Sequence, residues 1–144
     1  MSSDVVLRAD DLTRSYGRGD TEVHALAGVS LQVAAGELVI LRGPSGSGKT
    51  TLLNILGGLD QPTSGTVRLG ERDIVGASEG DMLDMRRREI GFIFQNFALL
   101  PSLTAAENVE LPMRITGVPH DERAATVAEL LDIVGLTPHA AQRP

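Results

Sequence analysis

The sequence predicts an α/β fold in which strands fill the first two-thirds of the chain and helices the last third. Three observations support this prediction. Residues 38–41 (Leu-Val-Ile-Leu) form a short apolar run of the kind found in buried strands. A glycine-rich segment follows at 43–48, and residues 50–56 then show a helical pattern that stops at two glycines. After Pro101, helix-capping and helical periodicity replace the strand pattern.

The strands are predicted from short apolar or alternating runs that turn-forming residues separate. Residues 23–27 and 29–33 alternate as half-buried antiparallel strands do. A tight turn at Gly70 lies between two further runs. The predicted strands are therefore 5–9, 23–27, 29–33, 38–41, 66–69, 72–75 and 90–94, the last of which ends at Gln95.

Three further helices are predicted from their capping residues. Ser78 suits the N-cap of a helix that runs through Met85. The residues Thr104-Ala-Ala-Glu107 form a capping box, and Pro119 opens the last helix, which Gly135 ends. The apolar face of that last helix is predicted to contain Ala124, Val127, Ala128, Leu131 and Val134.

Composition limits the classes of function. The chain has 144 residues, 42% of them hydrophobic, which suits a globular domain with its own core. A net charge of −6 argues against a nucleic-acid partner, and the absence of cysteine excludes disulfides and thiolate metal sites. Because the sequence has neither a long apolar run nor a basic-then-apolar leader, we expect a cytoplasmic protein that does not insert into a membrane directly.

The strongest motif is a candidate phosphate-binding loop. Residues 43–50 (Gly-Pro-Ser-Gly-Ser-Gly-Lys-Thr) fit the pattern G-x-x-x-x-G-K-[ST], between a predicted strand and a predicted helix. Lys49 is the only lysine in the chain. The alternative is a glycine-rich turn that carries a solvated lysine. The candidate nucleotide-binding residues are Gly43, Pro44, Ser45, Gly46, Ser47, Gly48, Lys49, Thr50 and Thr51.

The chemistry of such a loop follows from its residue types. Glycines let the backbone curl so that successive N–H groups point inward, and the positive end of the next helix strengthens that field. Lys49 would then reach the β- and γ-phosphates of a nucleotide as a catalytic cation. The hydroxyl of Thr50 is a candidate ligand of Mg²⁺.

Nearly the whole chain resembles the ATP-binding subunits of ABC transporters, in particular the branch that serves macrolide exporters and lipoprotein-release complexes. The segments that carry the resemblance are 25–31, 43–65, 86–95, 99–109 and 129–136. The resemblance implies ATP and Mg²⁺ as cofactors and a P-loop NTPase fold of the ABC type. That fold would be incomplete here, with an antiparallel β subdomain, the phosphate-loop strand and helix, and the start of a helical subdomain.

The resemblance also implies roles for two residues outside the loop. Tyr16 matches the aromatic residue that stacks on adenine; the alternative is an ordinary half-buried tyrosine. Gln95 matches a glutamine that contacts Mg²⁺ and the attacking water, so it is a candidate catalytic and metal-binding residue. The alternative for Gln95 is a polar strand end.

The resemblance implies two protein partners. Residues 96–103 match the surface that receives a transmembrane permease subunit, and Phe97, Leu99 and Leu100 would make it an exposed apolar patch. The alternative is a structural core beneath the helices. The second partner is another ATP-binding subunit. The protein would then lie peripherally on the cytoplasmic face of the inner or plasma membrane, bound to its permease.

The resemblance ends before several motifs of the family. The signature, the Walker B strand with its Asp and catalytic Glu, the D-loop and the switch histidine have no match in the 144 residues. We therefore expect residues 1–95 to form the β subdomain and phosphate-loop part, residues 96–144 to begin the helical subdomain, and the chain alone to hydrolyse ATP weakly or not at all.

The expected function is the ATP-binding component of a transporter that couples ATP to export or to lipoprotein-type extraction. A non-catalytic nucleotide-binding or interaction fragment is the main alternative. A small-molecule kinase with the same loop fits less well, because the resemblance extends over the whole chain and includes the context of Gln95, and because no second substrate motif is present. An ABC protein outside transport fits less well because the resemblance is to the exporter and lipoprotein-release branch.

Overall fold

The computed structural model describes residues 4–144, apart from the side chain of Asp20. The chain divides into two compact units, Met1–Gly91 and Phe92–Pro144. The first contains all the strands that the structure describes together with two helices, and the second contains two helices.

The first unit contains a four-stranded antiparallel sheet. Its strands are β1 (Val5–Tyr16), β2 (Val23–Ala34), β3 (Ser64–Leu69) and β4 (Arg72–Asp73), in the order β2-β1-β3-β4. The predicted pair of strands around Gly70 is confirmed, although β4 is shorter than expected. β1 is longer than the predicted run 5–9, because β2 pairs with it as far as Tyr16.

β2 replaces the two strands predicted at 23–27 and 29–33, so that division is wrong. The pairing passes from Val29 opposite Leu12 to Ala27 opposite Thr13, which leaves Gly28 as an extra residue. Gly28 has φ +82°, a conformation that glycine adopts without steric cost. The glycine therefore forms a β-bulge inside one strand and does not end it.

Two helices of the first unit pack against the sheet. They are α1 (Lys49–Leu56) and α2 (Glu79–Arg88), and Ser78 Oγ caps α2 by accepting from Asp81 N, as predicted. Leu52 and Ile55 lie three residues apart on α1, so both point into the core. The buried core consists of Ala9, Leu12, Leu26, Leu52, Ile55, Val67, Ile74, Met82 and Met85.

The apolar runs at 38–41 and 90–94 are not strands, so both predictions are wrong. Leu38 is 86% exposed and Ile93 is fully exposed. An extended segment becomes a strand only when a neighbour accepts and donates its backbone hydrogen bonds. None of the four strands in residues 4–144 pairs with either run, so neither run forms a strand despite its apolar composition.

The second unit is built on α3 (Ala105–Ile115) and α4 (His120–Ile133). The predicted capping box at Thr104 and Glu107 is present, and Gly135 follows the end of α4 with φ +69°. Of the predicted apolar face of α4, only Val127 and Leu131 are buried. The other three members of that face, Ala124, Ala128 and Val134, are exposed.

Candidate phosphate-binding site

The glycine-rich loop leads directly into α1, as the motif predicts. Gly48 is the N-cap of α1 with φ +85°, and no side chain of the described residues caps this end of the helix. A β-carbon at Gly48 would collide with the backbone carbonyl oxygen of Ala25 in β2. The loop therefore needs glycine at this position both for its backbone conformation and for the close approach of β2.

Ala25 reaches the loop because of an irregularity in β2. Arg14 pairs with Leu26 and Ser15 pairs with His24, so Ala25 is the extra residue between them. Bulges turn a backbone or side chain out of the regular ladder. The carbonyl group of Ala25 lies against Gly48, so β2 contacts the start of α1 at this point.

The ammonium group of Lys49 folds back across the loop. Lys49 Nζ donates to the carbonyl oxygens of Gly43 at 2.8 Å and Pro44 at 2.7 Å, and to Ser47 Oγ at 3.2 Å. An ammonium has three donors, and all three have partners in this arrangement. To contact a bound anion, Lys49 must therefore exchange at least one of these acceptors for an oxygen of the anion.

A cavity of about 440 Å³ lies over the N-terminus of α1. It is lined by Ala25, Ser45, Gly46, Gly48, Lys49, Thr50 and Thr51. The first N–H groups of a helix have no intrahelical acceptor, and the helix dipole places partial positive charge there. The first turn of α1 contains no acidic residue. The cavity is therefore suited to a multiply charged oxyanion such as a nucleotide phosphate.

The residues around this cavity fit a magnesium ion less completely than a phosphate. The hydroxyl of Thr50 is exposed at the start of α1 and is available as one oxygen ligand. Within residues 4–144, no three His, Asp or Glu side chains come close enough to form a metal site. Mg²⁺ in nucleotide sites is commonly held by one or two protein oxygens together with substrate phosphates, an arrangement that Thr50 permits.

Tyr16 lies at the end of β1 in a small polar cluster. Its hydroxyl donates to Asp60 Oδ2 at 2.8 Å, and Arg14 Cζ lies 4.6 Å from the centre of its ring. Arg14 Nη2 also donates to Asp60 Oδ1 at 2.7 Å. Tyr16 remains 41% exposed, so part of its ring is available to a ligand.

Asp60 is the acceptor that joins this cluster together. Burial raises the pKa of the Asp60 carboxyl. Hydrogen bonds from the Tyr16 hydroxyl and the backbone N–H of Gln61, together with the charge of Arg14, lower this pKa by more. The net pKa lies below the ordinary value, so Asp60 is ionised at neutral pH. The sequence indicated only a turn here, since residues 44 positions apart in the chain give no local signal of contact.

Gln95 belongs to the second unit, whereas Lys49 and Tyr16 belong to the first. The side chain of Gln95 is exposed, and the strand it was expected to end is absent. Phe97 is 83% exposed, Leu99 51% and Leu100 44%. Phe97, Leu99 and Leu100 therefore form an exposed patch within the second unit, whereas Leu103 is half-buried, and the alternative of a buried core does not hold for the three exposed side chains.

Asn108 organises the segment that carries this patch. From α3, its Nδ2 donates to the carbonyl oxygens of Leu100, Leu103 and Thr104 at 2.9–3.2 Å, and its Oδ1 accepts from Leu100 N at 2.8 Å. The sequence did not single out this residue. An asparagine inside a helix is unfavourable by propensity, and that is the only signal that pointed to a special role.

Among residues 4–144, no helix is both long enough and apolar enough to cross a membrane.

Comparison with known proteins supports the resemblance. A family profile described as "ABC transporter" matches residues 26–144. An ABC transporter ATP-binding protein of Thermotoga maritima is 48% identical over 139 residues, which is 96% of this chain and 59% of that protein. The lipoprotein-releasing system ATP-binding protein LolD of Geobacter metallireducens is 46% identical, over 96% of this chain and 62% of LolD.

A further relative is a fused protein. The macrolide export ATP-binding/permease protein MacB of Marinobacter nauticus is 43% identical over the whole chain, which covers 22% of MacB. The chain therefore spans about three-fifths or less of the length of these relatives.

The fold has a close match among solved structures. The ATP-binding cassette MJ0796, in a dimeric post-hydrolysis state bound to ADP and phosphate, superposes with a TM-score of 0.87. It is 38% identical, over 96% of this chain and 61% of the cassette. The family profile, the relatives and the solved structure all indicate the same family, and the phosphate loop fits it. The chain belongs to the ABC transporter family as part of its ATP-binding cassette.

Proposed function

We propose that this chain binds ATP through the loop 43–51 and serves as the ATP-binding component of a transporter for export or lipoprotein-type extraction. The observation that carries this proposal is the cavity over the uncapped N-terminus of α1, with Lys49 beside it. Exposed amides, a helix dipole and a lysine together make a phosphate site. The identities of 43–48% to LolD, MacB and related proteins support the transport role.

Each residue of the loop has a separate part in this proposal. The backbone N–H groups of the loop residues that line the cavity, at 45, 46 and 48–51, would contact the phosphate oxygens, and Lys49 would neutralise their charge. Thr50 Oγ1 would hold Mg²⁺ together with the phosphates, and Gln95 would be a further ligand of the ion. Mg²⁺ supplies charge neutralisation between the phosphate groups when it is bound. Tyr16 would stack on the adenine ring.

We propose that these residues alone bind ATP without efficient turnover. Phosphoryl transfer to water requires a group that orients or deprotonates the water. The loop supplies positive charge and amide donors, and its side chains contain no carboxylate. Hydrolysis of ATP by the pure 144-residue chain at the rate of a complete cassette would contradict this part of the proposal.

Two protein contacts complete the proposal. The exposed patch of Phe97, Leu99 and Leu100 would receive a permease subunit, since apolar patches of this kind mark protein interfaces. A second ATP-binding subunit would lie across the nucleotide, and the dimeric state of the MJ0796 cassette supports a second subunit. The protein would be held at the cytoplasmic face of a membrane through its permease.

The direct test is equilibrium binding of MgATP by calorimetry, with Lys49→Met as the variant. Lys49→Met is expected to weaken binding at least tenfold, because a hydrogen bond from a charged group contributes about 1.5–3 kcal/mol. Arg88→Met is the matched control, since Arg88 lies on α2 with 76% exposure of its side chain. Equal affinity in wild type and Lys49→Met would overturn the assignment of the loop.

The alternative function is a non-catalytic interaction module. The exposed patch in 96–103 is the observation that favours it. Absence of ATP binding in the wild-type chain, together with retained binding to a permease, would favour this alternative over the nucleotide site.

A further inference from the structure

The two faces of the Tyr16 ring are not equivalent. The guanidinium of Arg14 lies over one face, with Cζ 4.6 Å from the ring centre, which is a cation–π distance. Arg14 is fixed there by Asp60, which accepts from its Nη2 at 2.7 Å. The side chains of Arg14 and Asp60 are only 24% and 25% exposed, so solvent screens this pair less than a surface pair.

Asp60 also fixes the edge of the ring. Its Oδ2 accepts from the Tyr16 hydroxyl at 2.8 Å, and its Oδ1 accepts from the Gln61 amide at 2.8 Å. The two carboxylate oxygens therefore accept from three donors, which are Arg14 Nη2, the Tyr16 hydroxyl and the backbone N–H of Gln61. Hydrogen bonds to an ionised group are about twice as strong as neutral ones, so the orientation of the Tyr16 ring is well determined.

Asp60 is itself positioned by the phosphate-loop helix. The carbonyl oxygen of Asn54 in α1 accepts from Leu59 N at 2.7 Å and from Asp60 N at 3.2 Å. α1 begins at Lys49, next to the loop, and its eight residues extend about 12 Å. One short helix therefore connects the phosphate loop to the residue that holds Tyr16.

The sheet provides a second connection between the loop and Tyr16. Tyr16 pairs with Val23 in β2, and Ala25, two residues further along, lines the cavity over α1. Two residues of strand correspond to about 7 Å. Tyr16 and the phosphate loop therefore lie at the same end of the β1–β2 pair, close enough to contact one nucleotide.

We propose that Asp60 and Arg14 are positioning residues for nucleobase recognition, which hold Tyr16 so that only the ring face opposite Arg14 stacks on the base. This inference rests on the proposed nucleotide site and deepens it. Neither residue lines the cavity over the N-terminus of α1. Their effect is therefore specific for ligands that carry a base.

The chain offers a direct optical test, because Tyr16 is its only tyrosine and it has no tryptophan. Emission of Tyr16 is followed while the 144-residue chain is titrated with MgATP or with magnesium tripolyphosphate, which has no base. MgATP is expected to quench the emission and tripolyphosphate is not. Dissociation constants for both ligands are measured by calorimetry in the same buffer.

The variants are Tyr16→Ala, Tyr16→Phe, Asp60→Ala and the double variant Tyr16→Phe/Asp60→Ala. Loss of a stacked aromatic is expected to weaken ATP binding by about 5- to 150-fold in Tyr16→Ala. Tyr16→Phe and Asp60→Ala are expected to weaken it by about three- to tenfold each, since each removes the hydrogen bond between Tyr16 and Asp60 that orients the ring but keeps the ring itself. The double variant is expected to resemble the weaker-binding single variant, because both changes remove the same contact. Tripolyphosphate affinity should stay within twofold throughout.

Asp73→Asn is the matched control, because Asp73 is 65% exposed in an ion pair with Arg68 on β3. It should leave both affinities unchanged. Equal weakening of ATP and tripolyphosphate by Asp60→Ala would show a general structural role and overturn the inference. Unchanged ATP affinity in Tyr16→Phe and Asp60→Ala would also overturn it, since Tyr16→Phe keeps the ring and removes only its hydroxyl. Failure of the wild type to bind either ligand would instead overturn the proposed nucleotide site.

Discussion

The backbone carbonyl oxygen of Ala25 occupies the position that a side chain at Gly48 would require. Ala25 is the extra residue of a bulge in β2, and Gly48 is the N-cap of α1 with φ +85°. The contact is between two backbones, so neither partner moves aside by a change of rotamer. The sheet therefore defines where the helix begins, and the start of this helix is where we expect an anion to bind.

We expect Gly48→Ala to destabilise the first unit and to abolish ATP binding. A non-glycine residue at positive φ costs about 1–3 kcal/mol, and the collision with Ala25 adds to that cost. Gly70→Ala is the matched control, because Gly70 also has positive φ (+54°) but a β-carbon there would meet no atom within 4 Å. Urea unfolding and ATP calorimetry of both variants provide the comparison. Similar losses in the two variants would show that the Ala25 contact is unimportant.

The pKa of Asp60 predicts a pH dependence of stability. Burial raises this pKa, but the bonds from Tyr16 and Gln61 and the charge of Arg14 lower it by more. The pKa of Asp60 in the folded chain lies below the unfolded value of about 3.9. The ionised carboxylate therefore contributes its full share to the free energy of unfolding above the unfolded pKa, and this contribution is lost as pH falls through the folded pKa.

Thermal unfolding of wild type and Asp60→Asn from pH 7 to pH 3 measures this contribution. At pH 7 the free energy of unfolding of the wild type is expected to be higher by about 1 kcal/mol. A larger difference is not expected, because solvent partly screens the Arg14–Asp60 pair. The difference should shrink below about pH 4. A difference that stays constant over the whole range would exclude the Asp60 carboxylate as its source.

Asn108 is expected to hold the segment that carries the exposed patch. It makes four hydrogen bonds to backbone groups of Leu100, Leu103 and Thr104. Asn108→Ala removes all four and should cost about 1–3 kcal/mol, because Leu100 N and Leu103 O lose this partner, whereas the carbonyl oxygens of Leu100 and Thr104 still accept from backbone N–H groups. Hydrogen exchange of the Leu100 amide should become at least tenfold faster. Asn96→Ala is the control, since Asn96 is exposed, and an equal acceleration there would contradict the assignment.

Arg123 is expected to join α3 to α4. Its Nε donates to Glu110 Oε1 at 2.7 Å and its Nη1 donates to the carbonyl oxygen of Val118 at 2.6 Å, and both charged side chains are mostly buried. A double-mutant cycle with Arg123→Met and Glu110→Gln should give a coupling energy of about 1–2 kcal/mol. The exposed pair Arg88–Asp84 should give less than about 0.5 kcal/mol. Equal coupling in both pairs would contradict the role of burial.

The apolar runs 38–41 and 90–94, which pair with no strand of the described residues, predict that the chain associates with itself. Ile40 is 64% exposed and Ile93 is fully exposed. Extended apolar segments without strand partners are prone to pairing with other chains. Ile40→Lys and Ile93→Lys are expected to lower concentration-dependent association in light scattering with little change in stability. A monomeric wild type at high concentration, with a cooperative thermal transition, would contradict this expectation.

The sequence predicted local features better than long-range ones. The loop at 43–50, the cap at Ser78 and the capping box at Thr104 depend on residues a few positions apart, and all three are present. The runs 38–41 and 90–94 have the composition of strands, but a strand also needs a partner, which composition does not encode.

The candidate site shows the same limit. Lys49 and Thr50 were predicted because a short motif carries them. Asp60 and Ala25 were missed because their importance comes from contacts with Tyr16 and Gly48, which are 44 and 23 positions away. Gln95 was assigned from the family resemblance, and its role stays a prediction.

The three hydrogen bonds that Lys49 makes within its own loop have a consequence for selectivity. Binding of an anion is a substitution and not an addition, since each ligand oxygen must replace an acceptor that is already in contact. We expect a monovalent anion such as chloride, with a single charge, to compete poorly with these carbonyl acceptors. A chain of phosphate groups offers several oxygens and several charges at once. We therefore expect the loop to prefer polyphosphates to the abundant small anions around it.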